Sequence, residues 1–244
     1  MSGIVSYGAY VPFNRLQRSV IGQALEARGG KGERAVAGFD EDTATLAVEA
    51  ARNCLRNADK SSVRGLFFAT TNPPYQEKLN AATVHAALEL PEQTRALDLG
   101  GSARSGLAGM LLAKDAAPAL GPTLVTAADI RLGAPEGAIE QSAGDGAAAF
   151  LLGNDNVIAE FEATYSETLE HEGMWRGPGE KFPKTWEERF TLTQVYVPLL
   201  QKAGQAIAKQ AGVKPGDLAK VIIVAPNARA VDAVVKTLGL KPDQ

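Results

Sequence analysis

The chain has 244 residues, 45% of them hydrophobic and 22% charged, with a formal net charge of −3. That length holds one large domain or two small ones with a real core, and the composition is that of an ordinary globular chain. The balance leaves no broad basic surface for nucleic acid, no apolar run approaches the ~18–20 residues that span a bilayer, and the start, MSGIVSYGAYVPF, lacks the basic and long apolar parts of a signal peptide, so a cytoplasmic location is the default expectation.

Strand and helix patterns then alternate. GIVSYGAYVP (3–12) predicts an opening strand, and EDTATLAVEAARNCLRNA (41–58) an amphipathic helix with Asp40, Glu41 and Asp42 at its positive end. VRGLFFATT (63–71) predicts a short apolar strand, and LNAATVHAALEL (79–90) a helix that Pro91 helps to close. RALDLG (95–100) reads as a strand, ARSGLAGMLLAKDAA (103–117) as a helix and TLVTAAD (123–129) as a strand. AAAFLLGND (147–155) and VIAEFEATYSE (157–167) predict a strand pair joined at Asn154-Asp155. Continuous apolar strands between helices point to a layered α/β fold whose sheet is covered on both faces.

From about Thr164 to Arg189 the chain turns polar, carries Gly and Pro, and holds both tryptophans. A stretch of this length reads as a long ordered loop, often functional. TLTQVYVPLLQKAGQAIAKQAG (191–212) then shows a helical stripe at Leu192, Val195, Leu199, Ala203 and Ile207, with Pro198 near its first turn or kinking it. Gly212 and Pro215 end that helix, AKVIIVAPN (219–227) predicts a strand, and ARAVDAVVKTLGL (228–240) a last helix.

Reactive side chains are scarce. Cys54 is the sole cysteine, which rules out an intrachain disulfide; its helical, apolar setting reads as a buried thiol. His85 and His171, the two histidines, are too few for a metal site; the first reads as packed or half-exposed and the second as a solvated loop residue.

Four segments carry a specific likeness: ATTNPPYQEKLNAATVHAAL, ADIRLGAPEGAIEQSAGDGAAAFLLG, MWRGPGEKFPKTWEERFT and APNARAVDAVVKTLGL. In their order and spacing the sequence resembles the thiolase superfamily, most of all hydroxymethylglutaryl-CoA synthases and ketoacyl synthase III enzymes. The resemblance covers nearly the whole chain. It implies a layered αβαβα fold, divided here into an N-terminal half (1–163) and a partial C-terminal half (164–244) that is cut short after Leu240. It also implies Claisen chemistry on acyl-CoA thioesters. In that chemistry a helix-end cysteine takes up the acyl group, a glutamate removes a proton from it, and a histidine orients the second carbonyl.

Carried over residue by residue, the resemblance finds each reactive position substituted. The nucleophile turn corresponds to Asp98, Leu99-Gly100-Gly101, Ser102, Ala103, Arg104, Ser105 and Gly106, which puts Ala103 where the family has cysteine. Counting back from Pro74-Tyr75 puts Thr71 at the glutamate, and VAPN puts Val224 at the histidine, with Pro226 and Asn227 retained. By position in these motifs, Ser102, Arg104, Gly106 and Asn227 are the substrate-contact candidates. Other readings stand beside these. Ser102 and Ser105 are substitute nucleophiles or small packing residues. Arg104 meets a phosphate or carboxylate, or forms a salt bridge. Asn227 binds a thioester carbonyl or caps the following helix. Trp175, Arg176 and Trp186 line a ligand tunnel or anchor their loop. Gly100 and Gly101 suit a tight turn whether or not chemistry follows.

The expectation is a family member impaired in catalysis that binds acyl-CoA or serves as a partner subunit. The alternative is an active acyltransferase condensing acyl-CoA thioesters. A coenzyme A thioester is the expected ligand, with no covalently bound cofactor and no metal. The expected assembly is a homodimer, or a complex with a thiolase or an OB-fold acyl-CoA-binding protein.

Overall fold

The computed structural model describes residues 2–26, 29–225, 227–241 and 244. Two compact units divide the chain, Met1–Phe161 and Glu162–Gln244. The first runs β1 (Gly3–Tyr10), β2 (Asn14–Gln17), α1 (Arg18–Ala24), β3 (Glu33–Val36), α2 (Thr43–Leu55), β4 (Gly65–Ala69), α3 (Asn80–Leu88), β5 (Arg95–Leu99), α4 (Ser105–Leu120), β6 (Thr123–Asp129), α5 (Ala138–Ser142), β7 (Gly146–Gly153) and β8 (Ala159–Glu160). Among the described residues no helix is long and apolar enough to cross a membrane.

The main sheet has the order β5-β4-β6-β7-β1-β8, with β5, β4 and β6 mutually parallel and the other pairs antiparallel. Period-two alternation sorts its side chains between two cores. Leu66, Phe68, Leu124, Ala128, Ala149 and Leu151 pack with α2 and α3, while Phe67, Val125 and Leu152 pack with Ala113 of α4. Both faces are therefore covered, which is why these strands read as unbroken apolar runs. The start of α2 is fixed by a capping box: an Asp42 carboxylate oxygen accepts the Thr45 N–H, and the Thr45 hydroxyl accepts the Asp42 N–H, both at 2.8 Å.

Small residues set the depth of α4. Gly109 lies so close to the sheet that a Cβ there would stand 2.9 Å from Leu99 Cδ1, and one on Gly106 would stand 3.0 Å from Ala127 Cβ. With Ala113 and Ala117 they form a stripe at spacings of three and four, one face of a helix. The helix begins at Ser105, two residues later than the sequence pattern predicts, so Ala103 and Arg104 belong to the turn before it.

Two elements differ from expectation here. The predicted strand pair across Asn154-Asp155 does not form: β8 is only two residues long and pairs with β1, which lies between it and β7. The turn, with Asn156 at φ 54°, crosses over the β1 edge rather than folding back on β7. The β2–β3 hairpin and α1, within 14–36, carry no pattern strong enough to predict them.

The second unit contains a short hairpin of β9 (Met174–Trp175) and β10 (Lys184–Thr185), then α6 (Glu188–Phe190), a π-helical turn (Thr191–Tyr196), α7 (Val197–Ala211) and α8 (Ala228–Leu238). The region predicted as one long loop is thus partly ordered by the hairpin, and helix begins at Glu188. Pro198 lies just beyond the π turn; a proline has no N–H for the fourth carbonyl back, and a wider turn accommodates that loss. Gly212 and Gly239 adopt left-handed φ of 71° and 65° and end α7 and α8. The strand predicted over 219–227 is absent among the described residues, because no neighbouring strand supplies a ladder for it. Pro226 lies outside the described residues.

Candidate functional site

The carboxyl ends of β4 and β6, the start of β7 and the turn before α4 converge on a cleft of about 330 Å³. In an open α/β sheet this is the end where ligands bind. The cleft is lined by the methyl groups of Ala69, Ala103, Ala127, Ala128, Ala147 and Ala148, with Thr70, Thr71, Ser102, Ser105 and Asp129 as its polar part. Gly106 also lines it, its missing side chain letting the helix start approach β6.

The turn is held from behind. Asp98, on the last residues of β5, accepts the Asn80 N–H at 2.7 Å, the Asn80 side-chain amide at 3.0 Å and the Ala81 N–H at 2.6 Å. A carboxylate at the amino end of α3 is favoured both by those donors and by the helix dipole. Gly101 takes φ 85°, the left-handed turn conformation that glycine permits. Ser105 Oγ donates to the Gly100 carbonyl at 2.9 Å, and Ser102 Oγ accepts the Arg104 N–H at 3.1 Å. Both serine hydroxyls therefore serve the turn itself. Arg104 is exposed and forms no salt bridge among the described residues, so the ion-pair reading is not realised.

The opposite wall is a polar cluster that sequence reading did not identify. Asp129 Oδ1 accepts the Thr71 N–H at 2.7 Å, the Thr71 hydroxyl at 3.0 Å and the Thr70 hydroxyl at 3.1 Å. The Arg131 guanidinium donates to Thr71 Oγ1 at 2.7 Å. Thr71 thus occupies its position as a hydroxyl fixed between a carboxylate and a guanidinium. Behind it, Asp145 accepts the Arg131 N–H at 2.9 Å and the Ala37 N–H at 2.8 Å, and lies 3.5 Å from the buried Arg34 guanidinium. Arg34 also donates to the Glu140 and Arg131 carbonyls, both at 2.9 Å, while its buried Nε finds no hydrogen-bond partner among the described residues. The signal available in sequence was Asp129 at the end of an apolar strand run and Asp145 between two glycines.

Val224 and Asn227 belong to the second unit. Val224 is 72% exposed, and its carbonyl accepts the Tyr196 hydroxyl at 2.5 Å. Asn227 caps α8: its Oδ1 accepts the Ala230 N–H at 3.0 Å, and its Nδ2 donates to Glu188 at 2.6 Å. Trp175 lies in β9 and Trp186 directly follows β10, both exposed, and the Trp186 backbone N–H donates to the Gly173 carbonyl at 3.1 Å. His85 Nε2 lies 2.9 Å from the Pro91 carbonyl, and His171 Nε2 lies 3.2 Å from Thr191 Oγ1. Among the described residues no cluster of His, Cys, Asp and Glu is disposed to hold a metal ion.

No family model matches the chain. It is 34% identical over 255 aligned positions to a hydroxymethylglutaryl-CoA synthase of Methanocaldococcus jannaschii, an alignment spanning 100% of this chain and 74% of that protein. Among solved structures it is similar to 3-oxoacyl-[acyl-carrier-protein] synthase III from Aquifex aeolicus VF5. There the TM-score is 0.86 at 21% identity, covering 99% of this chain and 82% of the other. An HMG-CoA synthase complexed with CoA gives the same TM-score at 21% identity, covering 97% of this chain and 63% of the other. These neighbours establish the thiolase-type α/β fold.

Proposed function

The chain belongs to the hydroxymethylglutaryl-CoA synthase family of the thiolase superfamily, and on that premise we propose that it binds acyl-CoA thioesters without condensing them, acting beside an active partner. The observation that carries this is Ala103: a methyl group lines the cleft where the family resemblance expects sulfur. A methyl group forms no acyl intermediate, and loss of a covalent nucleophile leaves only residual catalysis.

The surrounding groups support the reading. Thr71 is a hydroxyl bound between Asp129 and Arg131, not a carboxylate free to take a proton from carbon. Ser102 and Ser105 are engaged in the turn, and among the described residues no histidine lines the cleft to activate them. The cleft's methyl lining suits a small uncharged acyl group, and CoA is the ligand named for a structural neighbour. The partner is a second copy, an active thiolase or an OB-fold acyl-CoA-binding protein.

Incubation with acetyl-CoA followed by quenching and intact-mass measurement tests this. The expected result is saturable CoA binding with no covalent acetyl group and no released CoA. An acetylated peptide containing Ser102 or Ser105 overturns it.

A further inference from the structure

The wall of the cleft steps down in size along the sheet. Phe67, Val125 and Phe150 stand opposite one another on β4, β6 and β7. On the same face, one step nearer the carboxyl ends of β4 and β6, stand Ala69, Ala127 and Ala148. The larger three belong to the apolar core against α4, and the three alanines line the cleft above them. Methyl groups at the rim, in place of rings, leave the room that the cleft occupies, about 330 Å³. A closed apolar cavity of about 150 Å³ takes up benzene, a body of six carbons. The cleft therefore has space for a hydrocarbon chain of that size together with the thioester that carries it. Its polar groups are already committed. The hydroxyl protons of Thr70 and Thr71 go to Asp129, and that of Ser105 goes to the Gly100 carbonyl. None of the three has a proton to give to a 3-oxo oxygen, and an acceptor taken out of water without a donor is penalised. The Asp129 carboxylate, also on the wall, opposes an acyl group that ends in a second carboxylate.

We propose that the cleft selects acyl-CoA esters whose acyl group is a plain hydrocarbon chain of about four to six carbons, without a 3-oxygen or a terminal carboxylate. The inference rests on the reading of the chain as an acyl-CoA binder and adds which acyl groups it takes. Each methylene removed from water raises affinity by about fourfold when fully buried. Length is therefore rewarded until the space beside the Ala69–Ala127–Ala148 row is filled.

Isothermal titration calorimetry with acetyl-, butyryl-, hexanoyl- and octanoyl-CoA provides the test. Affinity is expected to rise about threefold to fourfold per methylene from acetyl to hexanoyl, and to gain nothing from hexanoyl to octanoyl, whose tail projects beyond the cleft. Acetoacetyl-CoA equals butyryl-CoA in length but carries a 3-oxo oxygen, and should bind about tenfold more weakly. Ala148→Val, which thickens the wall at the rim, should flatten the length series. Equal affinities across the native series, or acetoacetyl-CoA binding as tightly as butyryl-CoA, overturn the proposal and leave acyl-CoA binding standing. A length series that Ala148→Val leaves unchanged also overturns it, because the chain then lies elsewhere. If that variant does not fold, the native series and the acetoacetyl–butyryl pair decide by themselves. Binding of none of the esters ends the acyl-CoA reading itself, and this inference with it.

Discussion

At position 103 the proposed loss of condensation comes down to one atom, the sulfur that the family resemblance expects and Ala103 lacks. Restoring it is a sharp probe, because the turn that would present the thiol is intact: Gly101 keeps its left-handed φ, Ser105 holds the Gly100 carbonyl, and α4 begins two residues later. A thiol beside a helix amino end is favoured as thiolate. Ala103→Cys is therefore expected to gain the mass of one acetyl group from acetyl-CoA. It should still form no carbon–carbon bond, since Thr71 and Val224 are unchanged; intact-mass and product assays read the two steps separately. Cys54 behaves in the opposite way. It is 3% exposed, and burial pushes its thiol above the ordinary range despite the 3.4 Å contact with Ser6 Oγ. Because burial disfavours the thiolate, the native protein at about pH 8 should resist iodoacetamide, with alkylation appearing only in denaturant. Thr71 and Ala103, which the sequence motifs single out, line one cleft; they could be picked out because each sits in a motif with its own flanks. The Asp129–Thr71–Arg131 cluster could not be, since Thr71 follows β4 while Asp129 ends β6 and Arg131 lies just past it, so they meet only when β4 and β6 pair.

Elements were legible where the chain carries its own period. The strands covered on both faces and the amphipathic α2 and α8 fall where the apolar pattern puts them. Those that failed depend on a neighbour far along the chain: β8 chose β1 over β7, and 219–227 found no ladder. Close approach between elements is likewise invisible in local pattern, and it gives two stability predictions. A Cβ on Gly8 of β1 would stand 2.3 Å from the Cys54 backbone N and 2.5 Å from the Ala50 carbonyl oxygen, both on α2. Backbone cannot rotate away, so Gly8→Ala must push α2 off the sheet; a loss of about 3 kcal/mol or more is expected by denaturant unfolding. Asp98→Ala removes three hydrogen bonds from the start of α3. Bonds to a charged group contribute roughly 1.5–3 kcal/mol each and are not additive, so a loss of about 2–4 kcal/mol is expected in the same experiment.

Across the whole molecule, apolar burial is unevenly shared. The first unit packs Phe67, Phe68, Leu46, Leu66, Leu124 and Leu152 out of water around its sheet, whereas Ala230 and Val234 are the fully buried apolar residues described in the second. Burial of a large side chain contributes about 1.5–3 kcal/mol, and ordering a residue costs a comparable amount in conformational entropy. A unit whose α7 has no buried residue therefore has little to set against the ordering of its helices. Segments with few buried contacts open first. Limited proteolysis of the isolated chain should accordingly cut first within Glu162–Gln244 and accumulate a resistant fragment ending near Phe161, with a low-temperature unfolding step preceding a cooperative one. Equal resistance of the two units, read by mass spectrometry of the time course, would show that the second has a source of stability other than its own apolar core.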